Sequence, residues 1–234
     1  MLTIVFDLDG TLVDTAPDLI DSLNFVLTRR GLPAIPFASA RNLIGGGAKA
    51  MIERALSAEA RSCSGDETDR LYSAFIAHYA DHLADRSRPF PQVETTLSGL
   101  ASAGYRLAVC TNKLEWLSVR LLQKLKLADR FAAICGQDTF GVQKPDPNML
   151  RLTVLRAGGE PGHGVMVGDS GTDIALARAA GVPVIAVDFG YSDVPIAALQ
   201  PDRVITSFAQ LPAAVTGLAA ANPGRAARLQ SQRP

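Results

Sequence analysis

The sequence has few cysteines, few aromatic residues and no net charge. Its 234 residues include three cysteines, Cys63, Cys110 and Cys135, and 6% aromatic residues. Cysteines that are odd in number and far apart argue against a disulfide framework and favour a reducing compartment. The 23 basic and 23 acidic side chains balance to a formal charge of zero, which gives no support for binding to nucleic acid or to a membrane surface.

Long hydrophobic runs are also missing. No run approaches the roughly 18 apolar residues of a membrane span. The apolar residues 2–6 follow no basic region and soon meet Asp7 and Asp9, so no signal peptide is expected. Because 47% of the residues are hydrophobic, we predict a soluble globular protein. The cysteine usage and the missing signal peptide and membrane span predict a cytoplasmic location, and we expect a monomer or homodimer.

Short apolar runs alternate with segments of helical periodicity in the second half of the chain. Strands are predicted at 2–6, 106–111, 131–135, 164–168, 182–187 and 203–205, and helices at 94–103, 114–125, 147–157 and 172–180. This alternation predicts right-handed βαβ units and a parallel sheet covered by helices. The predicted fold class is α/β with a Rossmann-like core.

Residues 15–84 have a different pattern, with helical periodicity and no predicted strand. The first helix is predicted to begin near Thr15, with Asp18 completing an imperfect capping box. A second helix containing Leu43 and Ile44 is interrupted by the glycines at 45–47. We therefore predict a core domain of residues 1–14 and 85–220, an inserted α-helical cap domain at 15–84, and a disordered tail at 221–234.

Polar residues follow several predicted strands, at the end of the sheet where ligands bind in open α/β folds. They are Asp7 and Asp9 after the first strand, Thr111 and Asn112 after the second, Lys144 after the third, and Asp169 and Asp173 after the fourth. Four converging carboxylates would repel one another, which favours a divalent cation such as Mg²⁺. Hydroxyl, amide and ammonium groups suit phosphate oxygens, so the set indicates phosphoryl transfer.

Each of these residues also has a purely structural interpretation. Asp7 and Asp9 would form a turn, Lys144 would be a solvated loop residue, and Thr111-Asn112 or Asp169 and Asp173 would cap the helices that follow them. Gly45, Gly46 and Gly47 are either a geometric helix break or a substrate-binding loop. The flanking Arg41 and Lys49 are interpreted as exposed charges, and Cys110 and Cys135 as small core residues.

The segments Asp7–Thr11, Thr111-Asn112, Lys144 and Asp169–Asp173 resemble, in order, the four motifs of the haloacid dehalogenase superfamily. The resemblance implies that Asp7 is the nucleophile and Asp9 the general acid and base, while Thr111 and Lys144 bind phosphate. It also implies Mg²⁺ bound by Asp7, by the backbone carbonyl of Asp9 and by Asp169, with Asp173 as an alternate or supporting ligand. An aspartate at position 9 favours phosphatases and phosphomutases over dehalogenases and phosphonatases.

Four further segments, 14–19, 43–48, 53–56 and 189–191, are similar to the phosphoglycolate phosphatase branch of that superfamily. This implies hydrolysis of the small metabolite 2-phosphoglycolate, with the glycines at 45–47 closing over the cleft. A phosphatase of another small or sugar phosphate, or a β-phosphoglucomutase-like enzyme, would share the core residues. A non-catalytic module that binds phosphorylated ligands would require a damaged catalytic set.

Overall fold

The structure, a computed structural model, describes residues 1–40, 43–58 and 64–220. The strands are β1 (Thr3–Phe6), β2 (Val13–Asp14), β3 (Arg88–Pro89), β4 (Arg106–Cys110), β5 (Ala133–Cys135), β6 (Gly164–Gly168), β7 (Val184–Val187) and β8 (Arg203–Ile205). The helices are α1 (Ala16–Thr28), α2 (Phe37–Ala40), α3 (Ala48–Ala58), α4 (Gly65–Asp81), α5 (Val93–Ser102), α6 (Glu115–Lys124), α7 (Pro147–Arg156), α8 (Gly171–Ala180) and α9 (Leu211–Ala220). Arg41, Cys63 and the tail predicted at 221–234 lie outside the described residues.

Six strands form one parallel sheet in the order β5-β4-β1-β6-β7-β8. The first strand lies between β4 and β6, and Phe6 is opposite Val109 on one side and Val167 on the other. Because these three strands run in the same direction, their carboxyl ends meet at one edge. The predicted α/β class and parallel sheet are confirmed, and every predicted core strand and helix lies within two residues of its observed bounds.

Helices cover both faces of the sheet. Alternate residues of β1 face opposite ways, so Ile4 and Phe6 belong to one apolar cluster and Val5 belongs to the other. The first cluster includes residues of α5, α6 and α9 together with α1, α3 and α4, and the second is formed largely with α7 and α8. Burial on both faces explains why β1 is a continuous apolar run. Cys110 and Cys135 are buried free thiols, as predicted.

The helices α1 to α4 lie between β2 and β3 in the chain. These two short strands pair antiparallel, with Asp14 opposite Arg88, and so hold the outgoing and returning chain side by side. The sequence does not predict this ribbon, because strands of two residues carry no detectable periodicity. The division into core and cap domains remains a prediction. In residues 1–40, 43–58 and 64–220, no helix combines the length and apolar character needed to cross a membrane.

Two local predictions in this segment were wrong. Thr15 precedes α1 without a side-chain capping bond, and its hydroxyl donates instead to Asp9 at 2.7 Å. The Asp18 carboxylate accepts hydrogen bonds from the returning chain, at the backbone N–H of Arg86 and at both the N–H and the hydroxyl of Ser87. Long-range partners therefore replaced the expected capping box. The helix predicted to include Ile44 is also wrong, because Ile44 lies outside any helix.

Candidate active site

A cleft of about 790 Å³, counting its solvent-open mouth, lies at the carboxyl ends of β1, β4 and β6. Most of the predicted site residues line it, namely Asp7, Asp9, Gly45, Gly46, Gly47, Thr111, Asn112, Lys144 and Asp169. Helices α1, α3 and α4 contribute apolar side chains to its opposite wall, among them Met51, Phe75 and Tyr79. The cleft therefore combines a charged floor with a largely apolar roof.

Lys144 connects two of the buried aspartates. Its Nζ lies 2.9 Å from Oδ1 of Asp7 and 2.7 Å from Oδ1 of Asp173. Burial disfavours the ammonium, but Asp173 and Asp7 outweigh that effect and raise the pKa of Lys144. Burial raises the pKa of Asp7 to about 6, against the opposing attraction of Lys144. Lys144 is only 4% exposed, which excludes its interpretation as a solvated loop residue.

Asp173 has two structural roles at once. Its Oδ2 accepts hydrogen bonds from the backbone N–H and the hydroxyl of Ser170, and the Ser170 hydroxyl accepts from the backbone N–H of Asp173. This capping box begins α8, as the structural interpretation of Asp173 predicted. The other carboxylate oxygen remains directed at Lys144. The helix cap thus fixes the position of the lysine beside Asp7.

Asp169 is held by groups from two other segments. Its Oδ1 accepts from the Thr11 hydroxyl at 2.7 Å, and its Oδ2 accepts from the backbone N–H of Tyr191 at 2.8 Å. A Cβ at Gly190 would lie 2.2 Å from the Cβ of Asp169, so this close approach requires glycine. Burial and the neighbouring charge of Asp7 raise the pKa of Asp169 to about 8.

Carboxylate oxygens of Asp7, Asp169 and Asp173 all lie within 4.8 Å of one another. Burial is the largest cause of the raised pKa values of Asp7 and Asp169, and the neighbouring carboxylate charges raise both further, while Lys144 opposes the rise at Asp7. Oxygen ligands in such a cluster suit a hard divalent cation. The Asp9 carboxylate does not belong to the cluster, so the predicted contribution of Asp9 through its backbone carbonyl stays a prediction.

Asp9 is held by Lys113 and Thr15 instead. The Lys113 ammonium lies 2.8 and 2.9 Å from the two carboxylate oxygens of Asp9, and also 4.6 Å from the centre of the Tyr79 ring. Lys113 is buried, and the sequence analysis missed it. Its position directly after Thr111-Asn112 at the end of β4 was the available signal. Asp7 and Asp9 therefore contact different lysines, Lys144 and Lys113. A pair of aspartates that only formed a turn would not require these two buried cations.

Thr111 and Asn112 do not cap α6, because Leu114 precedes that helix without a side-chain capping bond. The Asn112 side chain bonds the backbone of Lys144 in both directions, accepting from its N–H at 2.9 Å and donating to its carbonyl at 3.2 Å. Asn112 thus positions the lysine loop. The Thr111 hydroxyl accepts from the backbone N–H of Lys113 and lies at the cleft wall.

The glycines at 45–47 form a loop in which all three residues have positive φ, which glycine adopts without strain. The Arg54 guanidinium donates to the carbonyls of Leu43 and Gly45 and so supports the loop from α3. A Cβ at Gly47 would lie 3.1 Å from the backbone oxygen of Asn112. The loop therefore approaches the floor of the cleft closely at Gly47.

This arrangement of four strand-end motifs defines a hydrolase of the haloacid dehalogenase type. The family model for haloacid dehalogenase-like hydrolases matches residues 4–187. The chain belongs to this family. The match runs from β1 through the inserted helices to the end of β7.

Among its relatives, a phosphoglycolate phosphatase of Mesorhizobium japonicum is 51% identical over 205 residues, covering 88% of this chain and 90% of the relative. A phosphoglycolate phosphatase of Agrobacterium fabrum is 48% identical over 207 residues, covering 88% and 89%. The crystal structure of a predicted phosphoglycolate phosphatase from Haemophilus somnus superimposes with a TM-score of 0.84 at 31% identity, covering 92% of this chain and 98% of that one.

Proposed function

We propose that the protein is a Mg²⁺-dependent phosphatase that hydrolyses 2-phosphoglycolate to glycolate and phosphate. The observation that carries the proposal is the separation of Asp7 and Asp9. The two acids leave the same strand end, yet Asp7 contacts Lys144 and Asp9 contacts Lys113. One acid can therefore attack phosphorus while the other transfers a proton. The identity to enzymes of that name supports the choice of substrate.

The chemistry would proceed in two displacements. An Asp7 carboxylate oxygen forms a bond to phosphorus while the bond from phosphorus to the ester oxygen breaks, and Asp9 gives its proton to that oxygen. Glycolate leaves, and Asp9 then takes a proton from the water that attacks phosphorus. The bond between phosphorus and Asp7 breaks, releasing inorganic phosphate. Lys144 and Thr111 would hold the phosphoryl oxygens throughout.

The acidic cluster fits Mg²⁺ chemically. Asp7 and Asp169 would supply carboxylate ligands, while Asp173, already bonded to Ser170 and Lys144, would support them. When bound, the ion would neutralise charge on the phosphoryl oxygens. Asp169 would be oriented for this role by Thr11 and Tyr191.

Magnesium is expected to stabilise the folded protein. At about 100 times its dissociation constant, an ion that binds only the folded state contributes about 2.7 kcal/mol. For a chain of this size that corresponds to a rise in Tm of about 5–10 °C, to be measured by calorimetry with and without EDTA. Asp169→Asn should abolish the rise, whereas Asp188→Asn, at an exposed acid directly after β7, should retain it. An equal rise in both variants would place the ion elsewhere.

A small substrate fits the cleft, whose roof is apolar and whose glycine loop reaches the floor. We expect phosphate release from 2-phosphoglycolate to exceed release from glucose 6-phosphate and β-glucose 1-phosphate by at least about tenfold in kcat/KM. Equal rates across the panel would favour a phosphatase of broad sugar-phosphate specificity. Conversion of β-glucose 1-phosphate to glucose 6-phosphate would favour a phosphomutase.

The proposal also includes the binding partner, the cellular location and the oligomeric state of the protein. A small phosphorylated metabolite is the proposed partner, with no role for nucleic acid, because the chain has no net charge. The protein is proposed to act in the cytoplasm, where Cys110 and Cys135 remain free thiols. The proposed assembly is a monomer or homodimer.

A further inference from the structure

We propose that Lys113 recognises the carboxylate of the substrate and so makes the enzyme specific for short phosphate esters that carry an acid on the leaving group. The inference rests on the proposed function, because it concerns the part of 2-phosphoglycolate that is not transferred. It assigns to Lys113 a specificity role beyond its contact with Asp9.

The cleft offers few cations for a second negative group. Among its described lining residues, the basic side chains are Lys113 and Lys144. Lys144 already contacts Asp7 and Asp173 on the phosphoryl side of the cleft. Lys49, which flanks the glycine loop, is exposed and contacts Asp69 at 2.7 Å. Among the residues that the structure describes, Lys113 is therefore the cation placed to meet an anionic leaving group.

The covalent structure of the substrate also favours Lys113 as the group that binds the carboxylate. In 2-phosphoglycolate, one methylene carbon separates the carboxylate from the ester oxygen. The group that protonates the ester oxygen and the group that binds the carboxylate must therefore be close neighbours. Asp9 is proposed to protonate that oxygen, and the Lys113 ammonium lies 2.8 and 2.9 Å from its carboxylate oxygens. No other basic side chain that lines the described part of the cleft contacts Asp9.

Lys113 also has capacity for a further acceptor. An ammonium has three N–H donors, and the structure shows bonds from Lys113 Nζ to the two oxygens of Asp9. The ammonium also lies over the face of the Tyr79 ring, which attracts the cation without accepting a conventional hydrogen bond. The side chain of Lys113 is only 5% exposed. A carboxylate that enters would meet a largely desolvated cation, where charge-assisted hydrogen bonds are strong.

The test compares two substrates in the whole enzyme, with Mg²⁺ present. Ethyl phosphate has a methyl group in place of the carboxylate of 2-phosphoglycolate. We expect Lys113→Met to lower the ratio of kcat/KM for 2-phosphoglycolate to kcat/KM for ethyl phosphate by about tenfold to 100-fold. The loss of the contact with Asp9 lowers turnover of both substrates, so the ratio isolates recognition of the carboxylate. A lysine that only positions Asp9 would leave the ratio unchanged, and that result would overturn the proposal.

Matched variants separate charge from folding. Lys113→Arg keeps the charge and should keep most of the ratio, whereas Lys113→Gln keeps a donor without charge and should lose it. This pair answers the question even if Lys113→Met does not fold. Lys49→Met removes the exposed lysine and should change the ratio less than twofold. A wild-type enzyme that does not prefer 2-phosphoglycolate to ethyl phosphate would refute the proposed function itself. A wild-type preference that survives in Lys113→Gln would refute only the role of Lys113.

Discussion

Replacement of Asp7 by asparagine is expected to lower turnover of 2-phosphoglycolate by about four orders of magnitude or more, because the amide cannot form the phosphoenzyme. The fold should survive. Burial raises the pKa of Asp7 to about 6, which shows that the ionised form is costly where it lies. Lys144 keeps its contact with Asp173 in the variant. We expect Tm to stay within about 3 °C of the wild type, as is typical for a near-isosteric change of this kind.

Trapping of the phosphoenzyme checks the role of Asp7 directly. Acid quenching during turnover of radiolabelled substrate should trap label on the wild-type chain in a form released by hydroxylamine, and should trap none on Asp7→Asn. Asp129→Asn, at an exposed acid in the turn Ala128–Arg130, should retain full activity and labelling. Label of normal yield on Asp7→Asn would show that another residue is the nucleophile.

Lys144→Met is expected to damage both stability and activity. It removes the cation that lies 2.9 Å from Asp7 and 2.7 Å from Asp173, leaving buried carboxylates without their partner. Breaking one side of a buried ion pair costs about 3–5 kcal/mol, which corresponds to a fall in Tm of about 6–20 °C. Turnover should fall by about a thousandfold, because the phosphoryl oxygens lose a preorganised cation. Urea unfolding without added metal and steady-state kinetics measure the two effects.

A second substitution distinguishes charge imbalance from lost packing. In Lys144→Met/Asp173→Asn, one negative charge leaves with the positive one, so part of the free energy of unfolding should return while turnover stays low. Lys124→Met, at an exposed lysine near the end of α6, should change the free energy of unfolding by less than about 0.5 kcal/mol. A single variant of Lys144 as stable as wild type would mean that the acids are neutral in the folded protein.

The fold and the floor of the cleft were largely predictable because both depend on local patterns. Strand β1 is buried on both faces, so its sequence is apolar throughout, and its end is marked by Asp7. Parallel strands bring their carboxyl ends together, and this rule placed Asp7, Thr111 and Asp169 in one region, whereas Lys144 lies in the loop after β5. The distances among them needed the structure.

The interactions that the sequence did not predict join residues far apart in the chain. Asp18 appeared suited to a local capping box, but its partners are 68 and 69 residues away, at Arg86 and Ser87. Lys113 reaches Asp9, 104 residues earlier. Periodicity and spacing describe neighbours in sequence and carry no information about such partners. The short strands β2 and β3 were not predicted for a similar reason, because their pairing is visible only in three dimensions.

The bonds at the base of the inserted helices have a consequence for protein engineering. The Tyr191 hydroxyl donates to Asp14 and accepts from the backbone N–H of Ala16, while its own backbone N–H holds Asp169. A graft that replaced residues 15 to 84 would disrupt the contact between Tyr191 and Ala16 and so weaken the positioning of Asp169 at the floor of the cleft. Junctions placed beyond Asp18 and before Arg86 would keep these contacts intact, so new substrate specificities could be grafted onto the parent chemistry.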